Sequence, residues 1–463
     1  MDWRMSPAGI VVDSSRALSL TASIRERVKR VASHRDGRAG AQVLAARLAG
    51  AALAYAAQVL AARYLGQEGF GIYALALVWL TLLGHLSVGG TNQALCRYVA
   101  EALATRDHAA VRGFVRFGIL FALGAGTCIG LAAIGVVTLV PGLLDGIYVL
   151  PLAIAFLAVP LLAIQDNLEA IARAIGRPLL GIGPAYVVRQ GAAVLIFGAL
   201  ALSPVLPSPG GALVGAVAAL LAGIAVQALL LRAALRQAVP TGDRRYDIRL
   251  WLRTALPIAL VDTTEMLLLN ADVLVVGLFL PPEAVAVYFA ATRIAQILEY
   301  VRYSASAATA QRFAALRATG RRAELHRLIA FVTLGTSAVA LVGAICLSAA
   351  APLLLALFGP GFGPAAWLVP ILVSGMVVAC LCGPGEDVLT MLGQERVCAL
   401  SFARALVLNL VLLVLLVPAF GLAGAAAASA ATMAGRSLLL AGYAYARLGI
   451  ALPLGLSFRQ AHD

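Results

Sequence analysis

The sequence predicts an all-α integral membrane protein of about twelve transmembrane helices in two parallel six-helix bundles, on three observations: its composition, its recurring long apolar stretches and an internal repeat. Of 463 residues, 62% are hydrophobic and 12% charged, with a mean hydropathy of +0.93. Soluble domains stay near roughly 45–50% apolar, so a soluble fold is excluded. Apolar stretches of about 18 residues or more recur along the chain, each long enough to cross a hydrocarbon core of roughly 30 Å. Barrel strands would be short and alternating, so these are helices.

Spans are predicted over 41–63, 70–94, 115–140, 147–167, 179–203 and 211–235, and again over 253–280, 284–307, 328–357, 364–391, 397–418 and 421–446. This divides the chain into a basic N-terminal segment (1–40), a first lobe (41–235), an inter-lobe loop (236–252), a second lobe (253–446) and a tail (447–463). The net charge of +13 raises the question of nucleic acid. That reading needs a basic face on a soluble module, and here the arginines lie between apolar segments. Basic connections carry Arg97, Arg106, Arg112 and Arg116, then Arg236, Arg244, Arg245 and Arg249, then Arg312, Arg317, Arg321, Arg322 and Arg327. Alternate connections, near Pro141, Pro207, Pro281, Gly361 and Gly421, carry no Lys or Arg. The positive-inside rule then predicts both termini cytoplasmic, the basic N-terminus resting on anionic membrane lipid, and the Ala, Gly, Leu and Arg bias fits a GC-rich bacterial genome, so the expected location is a bacterial inner membrane. The outward connections, about ten residues or fewer, leave no room for a catalytic domain, and the expectation is a protein that is not an enzyme.

The halves resemble each other. Glu68, Tyr73, Arg97 and Arg189 recur 215 positions later as Glu283, Tyr288, Arg312 and Arg404, and Glu169 and Gly176 recur 217 later as Glu386 and Gly393. An even number of spans per half makes the repeat parallel, with substrate held between the halves.

Charged side chains inside spans are costly, about 2.5–3.5 kcal/mol each at mid-bilayer on insertion scales, and they mark cavities or ion pairs. Asp262, Glu265 and Asp272 share one span within an arc of about 80° at 100° per residue. They are candidates for ion coupling or gating, by H+ or Na+, with pairing to neighbouring arginines as the alternative. Arg189, Arg293, Arg302, Arg404 and Glu169 are candidates for a substrate cavity, because guanidinium forks suit phosphate or acidic sugar. Arg47 and Arg436 also lie within spans; Glu299, three before Arg302, could make an intrahelical pair with it. His85 reads either as a packing residue or as a proton relay. Glu386 and Asp387 follow Gly383-Pro384-Gly385, a kinked end or a broken helix. The six cysteines form no CxxC pair or Cys/His metal spacing, and no nucleophile/base pair or phosphate loop is visible.

The stretch from Tyr64 through Leu65-Gly66-Gln67-Glu68-Gly69-Phe70-Gly71-Ile72 to Tyr73, with Arg97-Tyr98-Val99-Ala100-Glu101 downstream, resembles the polysaccharide and O-antigen flippase family of the multidrug/oligosaccharidyl-lipid/polysaccharide exporter superfamily. Asp272 through Gly277 to Val287-Tyr288, and Leu357-Phe358-Gly359 followed by Phe362, extend the likeness over most of 41–446. Pro281-Pro282 departs from the family's Gly-Gln. The resemblance implies a multidrug-exporter-like fold that moves a polyprenyl-pyrophosphate-linked oligosaccharide from the cytoplasmic to the periplasmic leaflet by alternating access. It implies lipid-linked oligosaccharide and membrane lipid as partners, with a polysaccharide polymerase complex beside them. A cation-coupled multidrug efflux transporter is the alternative, and a membrane glycosyl ligase or polymerase is a more distant one.

Overall fold

The structure is a computed structural model that describes residues 35–140 and 145–453. The expected basic segment before residue 35, Pro141 and the end of the tail lie outside the described residues. Every described element is helical. The first bundle comprises α1 (Arg35–Val88), α2 (Thr91–Ala104), α3 (His108–Leu139), α4 (Gly146–Leu157), α5 (Val159–Ala174), α6 (Pro178–Ile182), α7 (Arg189–Leu202) and α8 (Pro209–Ala238). The second comprises α9 (Ile248–Phe279), α10 (Pro282–Ala295), α11 (Glu299–Ala318), α12 (Arg322–Ala356), α13 (Leu368–Leu381), α14 (Gly385–Met391) and α15 (Glu395–Leu448).

Nine described helical segments are long and apolar enough to cross a membrane. Two of these are double. The segment within α1 bends at Gly66 (φ 72°, ψ −177°), and α15 bends at Gly421 (φ 58°, ψ −135°). Both conformations are ones that only glycine adopts readily, and they turn one continuous helix into two spans. The acid-bearing α9 is not among the nine. With it, the described helices account for the twelve expected spans.

Several spans are broken where the sequence predicts continuity. The span 70–94 stops at Val88, because Gly89 and Gly90 take positive φ (55° and 69°) before α2 begins. The span 147–167 is split at Ala158, two residues before Pro160, which removes a backbone donor. The span 179–203 contains a π-helical turn, Gly183–Val188, with Pro184 in it. The span 364–391 breaks at Gly383 (φ 81°) and Pro384. The basic connections are largely helical: Arg97 lies within α2, and Arg312 and Arg317 lie within α11.

The largest core joins the two bundles at the Gly66 end. Lipid tails are as apolar as leucine, so helix association here depends on close packing rather than hydrophobic exclusion. The seam is accordingly built from Ala57, Ala61, Ala62, Ala74 and Ala76 of α1 against Val285, Ala286, Tyr288 and Phe289 of α10. Gly71 lies against the backbone of Pro282, and Gly277 against Leu75. Phe70 is fully buried, with ring centroids 6.0 Å from Phe289, 5.9 Å from Phe358 and 6.1 Å from Phe362. Arg63 Nε donates to Leu357 O at 2.6 Å, and Tyr55 OH to Leu354 O at 3.0 Å.

At the other end the linker is pinned to the first bundle. Arg112 Nε donates to Asp243 O at 2.8 Å, and Arg245 pairs with Asp107 at 2.5 Å. The start of α9 then joins the first bundle's core: Trp251 stacks on Phe114 with centroids 4.3 Å apart, and Tyr98 OH shares a 2.8 Å hydrogen bond with Thr254. Further along the same helix Asp272 reaches the second bundle, where it accepts from Tyr288 OH at 2.9 Å and Ser429 OH at 3.2 Å.

Two outcomes test this packing. Asn167, fully buried, donates to Thr91 Oγ1 at 3.0 Å and Gly118 O at 2.8 Å. Asn167→Ala leaves those acceptors unsatisfied and should cost about 1–3 kcal/mol, read as a lower melting temperature in detergent. The Gln67 side chain ends against Gly361, 2.7 Å from where a Cβ there would stand, so paired Gln67→Cys and Gly361→Cys should cross-link, and adding Gly71→Val should cut the yield severalfold by pushing α10 away from α1.

Candidate functional site

Two adjoining cavities, of about 390 Å³ and 240 Å³, open beside the second bundle and share Gln296, Glu299, Arg302, Glu386 and Arg436. The larger is also lined by Arg47 of α1, so both bundles contribute to it. Its charged lining is three arginines (Arg47, Arg302, Arg436) and three acids (Glu299, Glu386, Asp387). The smaller holds Arg302 and Arg436 against Glu265, Asp272, Glu299 and Glu386. The cavity is therefore not a cationic cup. Its guanidinium groups carry counterions supplied by the protein, as buried charge requires.

Local breaks in the helices aim these side chains. The turn Gln296–Leu298, a single 3₁₀ turn, separates Arg293 on α10 from Arg302 on α11. Arg302 faces the cavities, whereas Arg293 stacks on Phe289 at 4.2 Å and donates to Gln296 Oε1 at 2.9 Å. Arg302 takes Glu386 as its ion partner at 3.6 Å, in place of the nearer-in-sequence Glu299. The break at Gly383-Pro384 brings Glu386 there, and it lies 3.5 Å from Arg436 as well. Asp387 is engaged by Ser306 OH at 2.6 Å.

A second charged group lies in the first bundle. Arg189, just after the π-helical turn, donates to Gln165 Oε1 at 2.8 Å. Glu169 on α5 feels the charges of Arg173, Arg47 and Arg189. Arg47 bridges the two groups, its guanidinium 5.4 Å from the Tyr186 ring of the first bundle and 5.1 Å from the Tyr303 ring of the second. Such placements contribute about 0.5–2 kcal/mol, more as water is excluded. Its Nε is buried without a hydrogen bond among the described residues. His85 Nδ1 lies 3.0 Å from Asp166 Oδ2 and feels Asp262 across the bundle boundary.

The eight residues singled out from the sequence thus divide. Arg302, Glu265 and Asp272 line the cavities. Arg189 and Glu169 belong to the first-bundle group. Asp262 faces that group, because α9 passes from one bundle to the other, so the acidic stripe meets different neighbours along its length. Arg293 is stacked away from the cavities, and Arg404 is exposed, donating to Tyr443 OH. The site residues without an assigned role in the sequence reading are Arg47, Arg436 and Glu386. All three had a signal: a charge within a span for Arg47 and Arg436, and for Glu386 the repeat relation to Glu169.

The fold is shared with known transporters. The chain aligns with an inward-facing conformation of a multidrug resistance MATE family transporter of the MOP superfamily at TM-score 0.68 and 15% identity, covering 88% of this chain and 96% of that one. An outward-facing conformation of a MATE family transporter of that superfamily gives 0.58 at 15% identity, covering 91% and 96%. The lipid II flippase MurJ in an inward closed conformation gives 0.62 at 10% identity, covering 91% and 90%. A search of curated proteins finds no significant sequence match. A family model for polysaccharide biosynthesis proteins matches residues 39–310, more than half of the chain. The chain is therefore a multi-pass membrane protein that belongs to the polysaccharide biosynthesis protein family.

Proposed function

We propose that the chain is a flippase that carries a lipid-linked glycan from the cytoplasmic to the periplasmic leaflet by alternating access between its two bundles. The observation that carries this reading is the cavity itself, where Arg302, Arg436 and Arg47 present forked donors to phosphoryl or acidic-sugar oxygens beside tyrosines and carboxylates that suit glycan hydroxyls. Family membership supports it, and the MurJ likeness supports the fold in which such transport runs. The reading places the chain in the bacterial inner membrane with both termini cytoplasmic, since Arg97, Arg112, Arg312 and Arg317 gather at the end opposite Gly66. The seam at Gly66 is then the periplasmic gate, closed in this structure, which accords with the higher TM-score against the inward-facing relative. Transport of this kind involves no covalent chemistry, so the reading makes the protein a carrier and not an enzyme. A polysaccharide polymerase would act on the glycan after delivery and is the proposed neighbour.

The four acids of the smaller cavity, with the MATE-like fold, favour one second reading: a multidrug exporter taking cationic compounds. Deletion separates the two. Under the flippase reading, a deletion strain loses surface or secreted polysaccharide and accumulates lipid-linked oligosaccharide on the cytoplasmic side. Normal glycan with increased drug sensitivity establishes the exporter. Asp262, Glu265 and Asp272 are proposed to serve H+ or Na+ coupling or gating, with Glu265 the member that reaches the cavity without a hydrogen-bonded lock. Glu265→Gln keeps the volume and removes the charge, and it should insert normally yet export glycan about tenfold more slowly, a loss of about 1.4 kcal/mol in the transport barrier. Wild-type export by this variant from about pH 6 to about pH 8 rules out coupling at Glu265.

A further inference from the structure

Two guanidinium groups converge on one carboxylate oxygen in the larger cavity. Arg302 Nη2 stands 3.6 Å and Arg436 Nη2 3.5 Å from the same Oε2 of Glu386. Charge-assisted pairs normally close to about 2.7–2.9 Å, so this anion is shared loosely rather than seated. The two sides of the contact are also held differently. Arg436 is braced by the Phe402 ring, 4.3 Å from its guanidinium carbon, and only 11% of its side chain is exposed. Glu386 is 34% exposed and rides on the first turn of the short α14, just after the break at Gly383 and Pro384. Arg436 is anchored, whereas Arg302, 30% exposed, and Glu386 are both partly open to the cavity.

The repeat adds an independent observation. Glu169, the counterpart of Glu386 in the first half, feels the charges of Arg173, Arg47 and Arg189 as well as that of Asp166. Each half thus carries a carboxylate within the field of arginines at this point of the repeat, and in the second half it makes ion pairs.

We infer that Glu386 is a resident counterion, occupying the Arg302–Arg436 fork in the empty carrier and displaced from it by the diphosphate that joins lipid to glycan in the cargo. The inference rests on the flippase reading and deepens it. An empty carrier must return through its closed states with both arginines out of bulk water, and an unpaired guanidinium there is strongly unfavourable. Glu386 removes that penalty on the return. Arg436 already feels Glu265 and Glu299 in addition to Glu386, so a diphosphate arriving beside all three carboxylates would meet concentrated negative charge. Glu386, with a third of its side chain exposed, withdraws by rotating into the open cavity. Cargo and counterion therefore occupy the fork in alternation, and the carrier moves with its arginines neutralised in both directions.

The same phosphoryl chemistry could come from a phospholipid head group, so the test uses three ligands. The full-length chain, purified in detergent, is assayed for binding of radiolabelled farnesyl diphosphate, with inorganic pyrophosphate and phosphatidylglycerol as competitors. Glu386→Gln should bind the probe about tenfold more tightly than wild type, a change of about 1.4 kcal/mol in affinity. Glu386→Asp should fall between the two, and Arg436→Ala should lose binding. Pyrophosphate should compete and phosphatidylglycerol should not. In cells Glu386→Gln should export glycan severalfold more slowly at unchanged melting temperature, because its empty form returns with unpaired arginines. Equal or weaker probe binding by Glu386→Gln at unchanged melting temperature overturns the inference, as does displacement of the probe by phosphatidylglycerol. Binding that survives both Arg302→Ala and Arg436→Ala also overturns it while leaving the flippase reading intact. Normal surface glycan in the deletion strain overturns the flippase reading, and with it the cargo assigned to this fork.

Discussion

The contact between α1 and α10 around Phe70 is the constraint on which the rest of the molecule depends. In lipid there is no solvent to squeeze two helical bundles together, and only close approach with good packing holds them. The alanine seam permits that approach, and the four phenylalanines fill it. This end is apolar, and the cavity charges are gathered elsewhere. Separating the bundles at Phe70 would exchange one dry seam for another, so the aromatic cluster sets the free-energy difference between the two closures.

Against that apolar seam, the charged cavity is nearly balanced. Equal numbers of arginines and acids line the larger cavity, which accommodates a sizeable polar molecule without presenting one strong sign of charge. A balanced lining lowers the desolvation penalty of the empty state, and it also makes recognition depend on geometry more than on net field. The fold that carries this lining is shared with structures of a multidrug transporter and a lipid II flippase.

Much of the architecture was legible in the sequence because hydrocarbon thickness fixes helix length, and the long apolar runs declare themselves. Where Gly89-Gly90, Pro160 and Gly383-Pro384 interrupt those runs, breaks could be suspected but their geometry could not be read. The site was harder. Arg189 and Arg404 are repeat partners, yet one is bonded to Gln165 inside its bundle and the other is exposed on Tyr443. A repeat preserves the path of the backbone, not the neighbours of each side chain. The angular arithmetic that put Asp262, Glu265 and Asp272 on one face was sound as geometry. It could not reveal that α9 changes neighbours between Asp262 and Asp272, the first acid facing His85 and Asp166 and the second held by Tyr288 and Ser429. The pairing of Arg302 with Glu386 was likewise invisible, because it joins residues 84 positions apart in the chain.

The two helices that begin each half lean the same way. Trp251 and Thr254 at the start of α9 are packed into the first bundle, while Arg47 and Tyr55 of α1 reach Tyr303 and Phe358 of the second. Each bundle therefore borrows part of its wall from the other's leading helix, in the manner of an exchanged arm between subunits of a dimer. A half-chain made alone would leave a vacant slot beside Phe114 or beside Phe358, together with an unclaimed helix end of its own. Such halves would be incomplete as folding units yet complementary as a pair, and biogenesis of the full chain must hold the first half open until the ribosome has supplied the start of the second.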